Sequence, residues 1–475
     1  MHNYVIIADY LDRRYMDNEK TMENSLDQAK VKTVIYENGK TVAPVDEKLP
    51  LGKTLAFALQ HVLAMCAGAV AVPLIVGSAA GLSQSEILFL INADLLIAGI
   101  ATLTQSLGMG KFIGGKIPMI EGTSFASVNA MVAIAGTYKG DPYTAITTIF
   151  GAVLIAGLFV FLVAPFFGKF LKFFPEVVTG TVVTIIGVSL LPVAIKWSAG
   201  NGMEAGRANI FLAMGTLILI LLLNKFLKGN LGNLAIMFGL LAGTMAAYAF
   251  GMVDFTLVKE AKMLGFVTPF HFGLPRFEIT AIISLLLVML VTMTEATGNI
   301  IAVHKISGRE LDDKNLTRSL RTDGFATMLA SVFNTFPHTA FSQNIGLLSL
   351  TGIKSRYVVA VSGIMLITLG LLPKMAGIIA SVPYPVLGGA GFVLFGMVAA
   401  NGIKSLSKVK FDGTKNGMIV AVSIGLALIP VAVPGFYDNF PEWVGTLFHS
   451  GITTGSLSAI LLNLLFNGVG KKEQE

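Results

Sequence analysis

The stretch NTFPHTAFSQNIGLLSLTG, residues Asn334–Gly352, places a proline, a histidine and the adjacent side-chain amides of Gln343 and Asn344 in a strongly apolar chain. The chain has 475 residues, of which 54% are hydrophobic and only 13% are charged. A soluble domain carries about 25% charged residues, so this composition indicates a membrane protein. At membrane depth an irregular backbone is tolerated only where protein or a water-filled cavity satisfies its N–H and C=O groups. The stretch therefore predicts a broken membrane segment that lines an internal site.

A second stretch, KIPMIEGTSFASVNAMVAIAG (residues 116–136), also has a proline before its midpoint followed by Thr-x-Phe. Thr123 and Phe125 align with Thr339 and Phe341, so the two stretches correspond in two halves of the chain. Two halves of seven segments must be inserted in opposite orientations, because seven is odd. A matching pair of broken segments in inverted repeats indicates a transporter site near the bilayer midplane. We expect short extended pieces to pair there, and the following half-helices to point their N-termini at a ligand.

Long apolar runs elsewhere predict membrane-spanning helices of about 20 residues each. We therefore predict an all-α membrane protein in which segments 3 and 10 are broken into a short strand and a half-helix. The fourteen predicted segments are residues 54–77, 83–107, 117–136, 143–168, 177–195, 208–224, 231–252, 278–300, 322–336, 339–353, 357–373, 384–402, 416–432 and 449–469.

The distribution of charge predicts the orientation of the chain. An even number of segments puts both termini on one side, and most of the 34 Lys and Arg residues fall in the tails and loops of that side. Because basic residues accumulate in cytoplasmic loops, we expect a multi-pass protein of the cell membrane with both termini in the cytoplasm. Basic residues confined to short loops also argue against nucleic acid as a partner.

These segments divide the chain into five parts. In the N-terminal part, Asn38-Gly39 predicts a small hairpin, with disorder as the alternative. The five parts are a cytoplasmic tail (1–50), a first inverted repeat (51–252), an extracellular loop (253–277), a second inverted repeat (278–470) and a C-terminal tail (471–475).

Ionisable residues are rare in the predicted segments and are therefore candidates for function. Glu295 in segment 8 could accept a ring N–H of a ligand, take up a proton, or join helices. Asp323 in segment 9 is either a proton-relay or gating group, or a group that caps or pairs near the inner surface with Arg318 and Arg321 close by. His61 in segment 1 is either a helix-packing donor or a ligand. The ionisable residues without an assigned role are Asp94, Glu121 and His338.

Amide, aromatic and hydroxyl side chains beside the two breaks are candidates for substrate binding. The amides of Gln343 and Asn344 each offer an acceptor and two donors, a pattern that can read the edge of a heterocycle, although amides also join helices. Phe125 and Phe341 could stack on a flat ring or fill the core. The neighbouring serines included in the predicted binding site are Ser124 and Ser342.

The sequence lacks the motifs that several other classes of function require. GKFIGGKI (110–117) has Ile117 where a nucleotide-binding loop needs Ser or Thr, and no strand precedes it. The single cysteine, Cys66, excludes an internal disulfide and a cysteine metal cluster. No nucleophile–base pair and no metal-ligand spacing is visible. We therefore expect neither an enzyme nor a bound cofactor or metal.

Four motifs, in order along the chain, resemble those of the nucleobase–ascorbate transporters. QNIGLLSLTGIKSR (343–356) resembles that family's signature, and QHVLAMCAGAVAVPLIVG (60–77) resembles its first helix. EGTSF (121–125) and TEATG (294–298) resemble its third and eighth segments. The resemblance covers residues 54–470.

The resemblance implies a core domain of segments 1–4 and 8–11 and a gate domain of segments 5–7 and 12–14. Substrate would lie between the two domains beside the broken segments, in a homodimer that works by an elevator-type motion. By position, Glu295 and Gln343 would bind the base from two sides, and Phe125 would contact it. Asn344 matches the residue that shapes the site, His61 matches the histidine that organises the core, and Asp323 matches the aspartate needed for transport.

Two positions indicate which branch of the family the sequence resembles. Gln343 with Gly352 resembles the xanthine and urate branch, whereas uracil transporters carry Glu and Arg there. Bacterial members are mostly proton symporters, so we expect proton-coupled import of purines, foremost xanthine, with urate or guanine as further substrates and no cofactor beyond the proton. Alternatives are a uracil or broad nucleobase symporter and an anion channel or exchanger of a related inverted-repeat fold.

Overall fold

The computed structural model describes residues 35–37, 40–170, 174–200, 206–227, 234–309, 311–433, 435–437, 439–441, 444, 448 and 450–468, with the backbone alone at some helix and strand positions. The helices of ten residues or more are Leu51–Ala80 (α1), Gln84–Leu107 (α2), Val128–Thr137 (α3), Pro142–Val163 (α4), Glu176–Ser198 (α5), Arg207–Phe226 (α6), Ala235–Ala249 (α7), Ile279–Ser307 (α8), Asp313–Val332 (α9), Ser342–Thr351 (α10), Arg356–Gly370 (α11), Tyr384–Leu406 (α12), Asn416–Ala432 (α13) and Gly451–Asn467 (α14). The strands are Ile35–Glu37 (β1), Lys40–Val42 (β2), Glu121–Thr123 (β3) and His338–Ala340 (β4).

The long helices identify a membrane protein. Among the described residues, seven helices are long and apolar enough to cross a membrane, namely α1, α2, α5, α6, α8, α12 and the helical stretch Pro142–Phe166 that contains α4. Shorter apolar helices accompany them, including α7, α11, α13 and α14. The chain is therefore a helical membrane protein with several apolar helices.

The start of α9 corrects the sequence prediction for the ninth segment. The helix begins at Asp313 rather than at residue 322, because the side chain of Asp312 caps it by accepting a 2.6 Å hydrogen bond from the N–H of Asn315. Its first turns are charged, so hydropathy excludes them. The helix ends at Val332 rather than at residue 336, and Asn334 adopts a left-handed conformation with φ 63°.

The N-terminal hairpin is formed. Strand β1 pairs antiparallel with β2, which confirms the hairpin over the alternative of disorder, while the turn residues 38–39 lie outside the described residues. The chain then docks on the helices: Arg356 Nε lies 2.5 Å from Asp46 Oδ1, and Arg356 Nη1 donates to the carbonyl of Ser106. Ser355 Oγ donates to the carbonyl of Glu47. These contacts fasten Asp46 and Glu47 to the start of α11, and Arg356 joins that start to the end of α2.

Small residues allow neighbouring helices to approach closely, as is usual in membranes. Helices α2 and α11 meet at Gly99 and Gly363, where a Cβ built on Gly99 would lie 2.6 Å from the carbonyl oxygen of Gly363. Helices α4 and α9 meet in the same way at Gly157 and Gly324, where a Cβ built on Gly157 would lie 2.9 Å from the carbonyl oxygen of Gly324. Helix α5 packs along α12.

Candidate functional site

Two short strands, β3 and β4, meet in the interior and organise the site; their pairing is called the strand crossing below. β3 pairs antiparallel with β4, with Glu121 opposite Ala340 and Thr123 opposite His338. The ladder is extended at both ends by hydrogen bonds from Ser124 N to the carbonyl of residue 337 and from Phe341 N to that of residue 120. A 3-10 turn, residues 125–127, leads from β3 into α3, while α10 follows β4 almost directly. The free N–H groups that begin these helices therefore lie next to the strand crossing.

Glu295 presents a carboxylate to this region. It lies on α8, which packs against the 3-10 turn, against β4 and against α10. The hydroxyls of Thr294 and Thr297 donate to carbonyls of their own helix and not to Glu295. The Glu295 side chain is half-buried and makes no hydrogen bond to any described residue. Its oxygens are therefore available to accept from a bound molecule.

Asn299 was not singled out in the sequence. One turn after Glu295, its Nδ2 donates to the carbonyl oxygen of Ala340 at 3.3 Å, which ties α8 to the end of β4. The predicted site residue Ser124 is buried, and its hydroxyl lies 3.5 Å from that of Thr292 on α8. An amide within an apolar helix was the available signal for Asn299. Both contacts hold the helix of Glu295 against the crossing strands.

Asn344 is bound to His61. Its Nδ2 lies 2.9 Å from His61 Nδ1 and 3.2 Å from the His61 carbonyl oxygen, so the amide donates to α1. Both side chains are buried. The structure thus pairs two predicted residues, with His61 as a packing partner of the amide. The side chains of Ser342 and Gln343 lie outside the described part of the structure, where only their backbone, in the first turn of α10, is given.

Aromatic rings gather beside the crossing. The ring centroids of Phe125 and Phe341 are 6.3 Å apart, and Phe125 meets Phe395 of α12 edge-on at 5.9 Å. Trp197 of α5 lies 6.4 Å from Phe395. Phe395 and Trp197 were missed in the sequence, because single aromatic residues on apolar helices do not stand out. Phe125 is only half-buried, so part of its ring remains open for contact.

Asp94 and His338, which had no assigned role, belong to one buried cluster. The hydroxyls of Thr123 and Thr335 donate to Asp94 Oδ1 at 2.5 and 2.7 Å. His338 Nε2 lies 3.7 Å from the same oxygen. Asp94 of α2 thereby joins β3 to the segment around β4, which indicates a structural clamp on the crossing.

Asp323 lies in a second buried cluster. Its Oδ2 accepts a 3.2 Å hydrogen bond from the hydroxyl of Thr339, and its carboxyl group is within hydrogen-bonding reach of that of Glu121. The alternative that Asp323 pairs with neighbouring arginines is wrong. Arg318 donates to the backbone of residue 111, and Arg321 lies over aromatic rings.

The chain matches a known family over most of its length. A family model described as a permease family matches residues 52–436. The chain is 44% identical over 429 residues to the uric acid permease PucJ of Bacillus subtilis (strain 168), covering 89% of this chain and 94% of that protein. It is 41% identical over 428 residues to the uric acid transporter UacT of Escherichia coli (strain K12), covering 89% and 88%. It is also 41% identical over 426 residues to the xanthine permease of Bacillus subtilis (strain 168), covering 89% and 96%.

Two solved structures are similar in fold. The transmembrane domain of a cyanobacterium bicarbonate transporter, BicA, matches with a TM-score of 0.60 at 16% identity, covering 88% of this chain and 100% of that one. SLC26A9 matches with a TM-score of 0.55 at 12% identity, covering 88% and 66%. The family model and the sequence relatives agree with the four motifs, and the chain belongs to the nucleobase–ascorbate transporter family, whose matching members are membrane permeases rather than enzymes.

Proposed function

We propose that the chain is a proton-coupled symporter that imports purine nucleobases, foremost xanthine, with urate and guanine as further substrates. The observation that carries the proposal is the carboxylate of Glu295, which has no partner among the described residues and sits beside the crossing strands. Such an acceptor suits the N–H groups of a purine. The relatives named as uric acid and xanthine permeases support the same substrate class.

Recognition of the purine would be divided among side chains around the crossing. Glu295 would accept a ring N–H, Gln343 would read the imide edge that xanthine and urate share, and Phe125 would pack on the ring. Asn344 would act by shaping the site, because His61 already holds its amide nitrogen. The further residues proposed to line the site are Ser124, Ser342 and Phe341.

We further propose fourteen membrane segments arranged as two inverted repeats of seven. In this arrangement each helix of α1–α7 corresponds to the helix seven places later. The main helix contacts agree with this correspondence. The contact of α2 with α11 has its counterpart in that of α9 with α4, and the contact of α6 with α7 has its counterpart in that of α13 with α14. β3 meets its own counterpart β4 in antiparallel pairing, which is the pairing that a two-fold axis perpendicular to the strands produces. This symmetry supports inverted repeats with segments 3 and 10 broken at the site.

Core and gate domains are the natural division for an elevator-type motion. Helices α1–α4 and α8–α11 pack mainly on one another, and α5–α7 pack mainly on α12–α14, which supports these two groups as core and gate. Phe125 of the core group meets Phe395 of the gate group, so the proposed substrate site lies at their boundary. The basic loops support cytoplasmic termini. A homodimer in the cell membrane completes the proposal.

Uptake of labelled xanthine and urate into liposomes containing the purified protein tests the function. We expect uptake that rises with an inward proton gradient, collapses with a protonophore and is competed by unlabelled purines but not by uracil. Replacing Glu295 by Gln should lower purine affinity by about 1.5–3 kcal/mol, more than tenfold, because a hydrogen bond to a charged group is lost.

The matched control is Glu176→Gln, which alters an exposed carboxylate at the start of α5 that pairs with Lys408, just after the end of α12. It should leave purine affinity unchanged. Competition by uracil would indicate a broad nucleobase symporter, and anion flux without purine uptake would indicate an anion exchanger. Unchanged affinity in Glu295→Gln would remove this residue from the site.

A further inference from the structure

A pair of buried acids lies next to the strand crossing. Glu121, the first residue of β3, is 0% exposed and Asp323 of α9 is 2% exposed, and their carboxyl groups are within hydrogen-bonding reach of each other. One oxygen of each acid has another donor: Gln105 Nε2 donates to Glu121 Oε1 at 3.0 Å, and Thr339 donates to Asp323 Oδ2. The other two oxygens, Glu121 Oε2 and Asp323 Oδ1, have no further partner among the described residues.

The surroundings fix which oxygen can carry a proton. Gln105 Oε1 accepts from the N–H of Gly115 and from the hydroxyl of Thr322, so its amide must present the nitrogen to Glu121. Glu121 Oε1 is therefore held as an acceptor. The oxygens left for a proton are the two that lack other partners, one on each acid. Two carboxylates within hydrogen-bonding reach of each other and away from water repel strongly when both are ionised, and a single shared proton relieves that repulsion.

No cation bonds to the pair within the described residues, although ionisable groups lie on every element packed around it. His338 faces Asp94 instead, with its Nε2 3.7 Å from Asp94 Oδ1. Among the arginines, Arg309 donates to the carbonyl of residue 116. The other ionisable groups on these helices and before β3 are Asp313, Lys314, Arg318 and Arg321 of α9, Glu295, His304 and Lys305 of α8, and Lys116. A proton on one of the two free carboxylate oxygens would lower the negative charge of this pair.

We propose that the Glu121–Asp323 pair is the proton-binding site of the transport cycle, separate from the purine-binding carboxylate of Glu295. The inference rests on the proposed proton-coupled function and assigns its proton. One proton from one side of the membrane bonds to a carboxylate oxygen of the pair and is shared with the other acid, changing the charge of the pair from −2 to −1. It leaves to water on the opposite side, and no other bond forms or breaks. Glu121 lies in β3 and Asp323 is bonded to β4, so protonation acts directly on the crossing that positions the purine.

Glu121→Gln tests the assignment with the whole protein in liposomes. The amide can accept from Gln105 with its oxygen and donate to Asp323 with its nitrogen, so it imitates the proton-loaded pair permanently. Three quantities are measured with labelled urate or xanthine: accumulation driven by a pH gradient, exchange at equal pH on both sides, and proton entry reported by a trapped pH dye. With one proton per purine, a gradient of one pH unit should give the unmodified protein about tenfold accumulation.

We expect Glu121→Gln to keep exchange while losing both accumulation and proton entry. Asp323→Asn places the amide on the other acid of the pair and should behave like Glu121→Gln. The test therefore stays decisive if one of the two variants does not fold. The matched control is Asp94→Asn, an equally buried acid outside the pair, which should retain the ratio of gradient-driven uptake to exchange even if its stability falls. Accumulation with proton entry in both pair variants, or loss of exchange in both, would overturn the assignment. Absence of purine-linked proton entry in the unmodified protein would instead refute the proposed proton coupling itself.

Discussion

At the scale of single residues, Asn344 is the most constrained group beside the proposed purine site. Its Nδ2 is committed to both the side chain and the backbone oxygen of His61. Its Oδ1 is buried without a partner among the described residues. The nitrogen thus anchors α10 to α1, while the oxygen remains available. Asn344 therefore combines a structural role with an open acceptor.

Replacing Asn344 by Ala should destabilise the protein by about 1–3 kcal/mol, because two buried acceptors of His61 would lose their donor. Thermal unfolding in detergent measures this loss. In a double-mutant cycle, His61→Ala should cost less in the Asn344→Ala background than in the unmodified protein. Additive losses would show that the two residues do not depend on one another.

At the scale of elements, glycines set the distance between helices. The contacts of α2 with α11 and of α4 with α9 each place two glycines face to face, with backbone atoms where a methyl group would go. These contacts correspond under the proposed exchange of repeats. The close distance between the helices of each pair therefore depends on the absence of a side chain where the glycines meet.

Gly99→Ala should destabilise the protein by about 1–3 kcal/mol, because the methyl group would force α2 away from α11. Gly324→Ala should act similarly on α4 and α9. The control is Gly425→Ala on α13, where a methyl group would have no atom within 4 Å and alanine favours the helix. Thermal midpoints in detergent compare the three. A Gly99→Ala protein as stable as the control would contradict the close packing.

At the scale of the whole molecule, the contact between Phe125 and Phe395 joins the two proposed groups of helices. An elevator-type motion must break this contact in every cycle. The contact between Trp197 and Phe395, in contrast, lies within the gate group. The two contacts share one residue, so they form a matched pair for testing the motion.

In a chain with Cys66→Ala and the double replacement Phe125→Cys and Phe395→Cys, a bifunctional thiol reagent with a reducible spacer should form a bridge that stops purine exchange until reductant is added. The bridge holds core and gate together, which the motion cannot tolerate. The replacement Trp197→Cys with Phe395→Cys should leave exchange insensitive to the same reagent. Exchange in the same liposomes is measured before and after reduction. Equal exchange in both states of the first variant, with the bridge formed, would exclude sliding at this boundary.

Much of this organisation could be predicted from local patterns. The family resemblance carried by four motifs is confirmed by the family model, and the apolar runs correctly indicated a helical membrane protein. The start of α9 could not be found from hydropathy, because a charged first turn capped by Asp312 continues directly into the apolar part of the helix.

The contacts of the candidate site were less accessible from the sequence. The sequence pattern around Pro337 and in EGTSF falls where strands β4 and β3 lie, and Asn344 and His61 were both predicted site residues. Their direct contact, and that of Glu121 with Asp323, join residues far apart along the chain. No local pattern encodes such pairings. The substrate roles of Glu295, Gln343 and Phe125 stay predictions for the uptake and binding measurements.

The clamp made by Asp94 has a consequence for biosynthesis. Its partner Thr335 lies 241 positions later in the chain. At a synthesis rate of 5–20 residues per second, the first half must wait on the order of 10–50 s at the ribosome before this partner and β4 exist. During that interval β3 has no strand to pair with, and an unpaired edge is tolerated in the membrane only if something else covers it. The nascent first half therefore needs a temporary protein or aqueous environment until β4 has been made and can pair with β3.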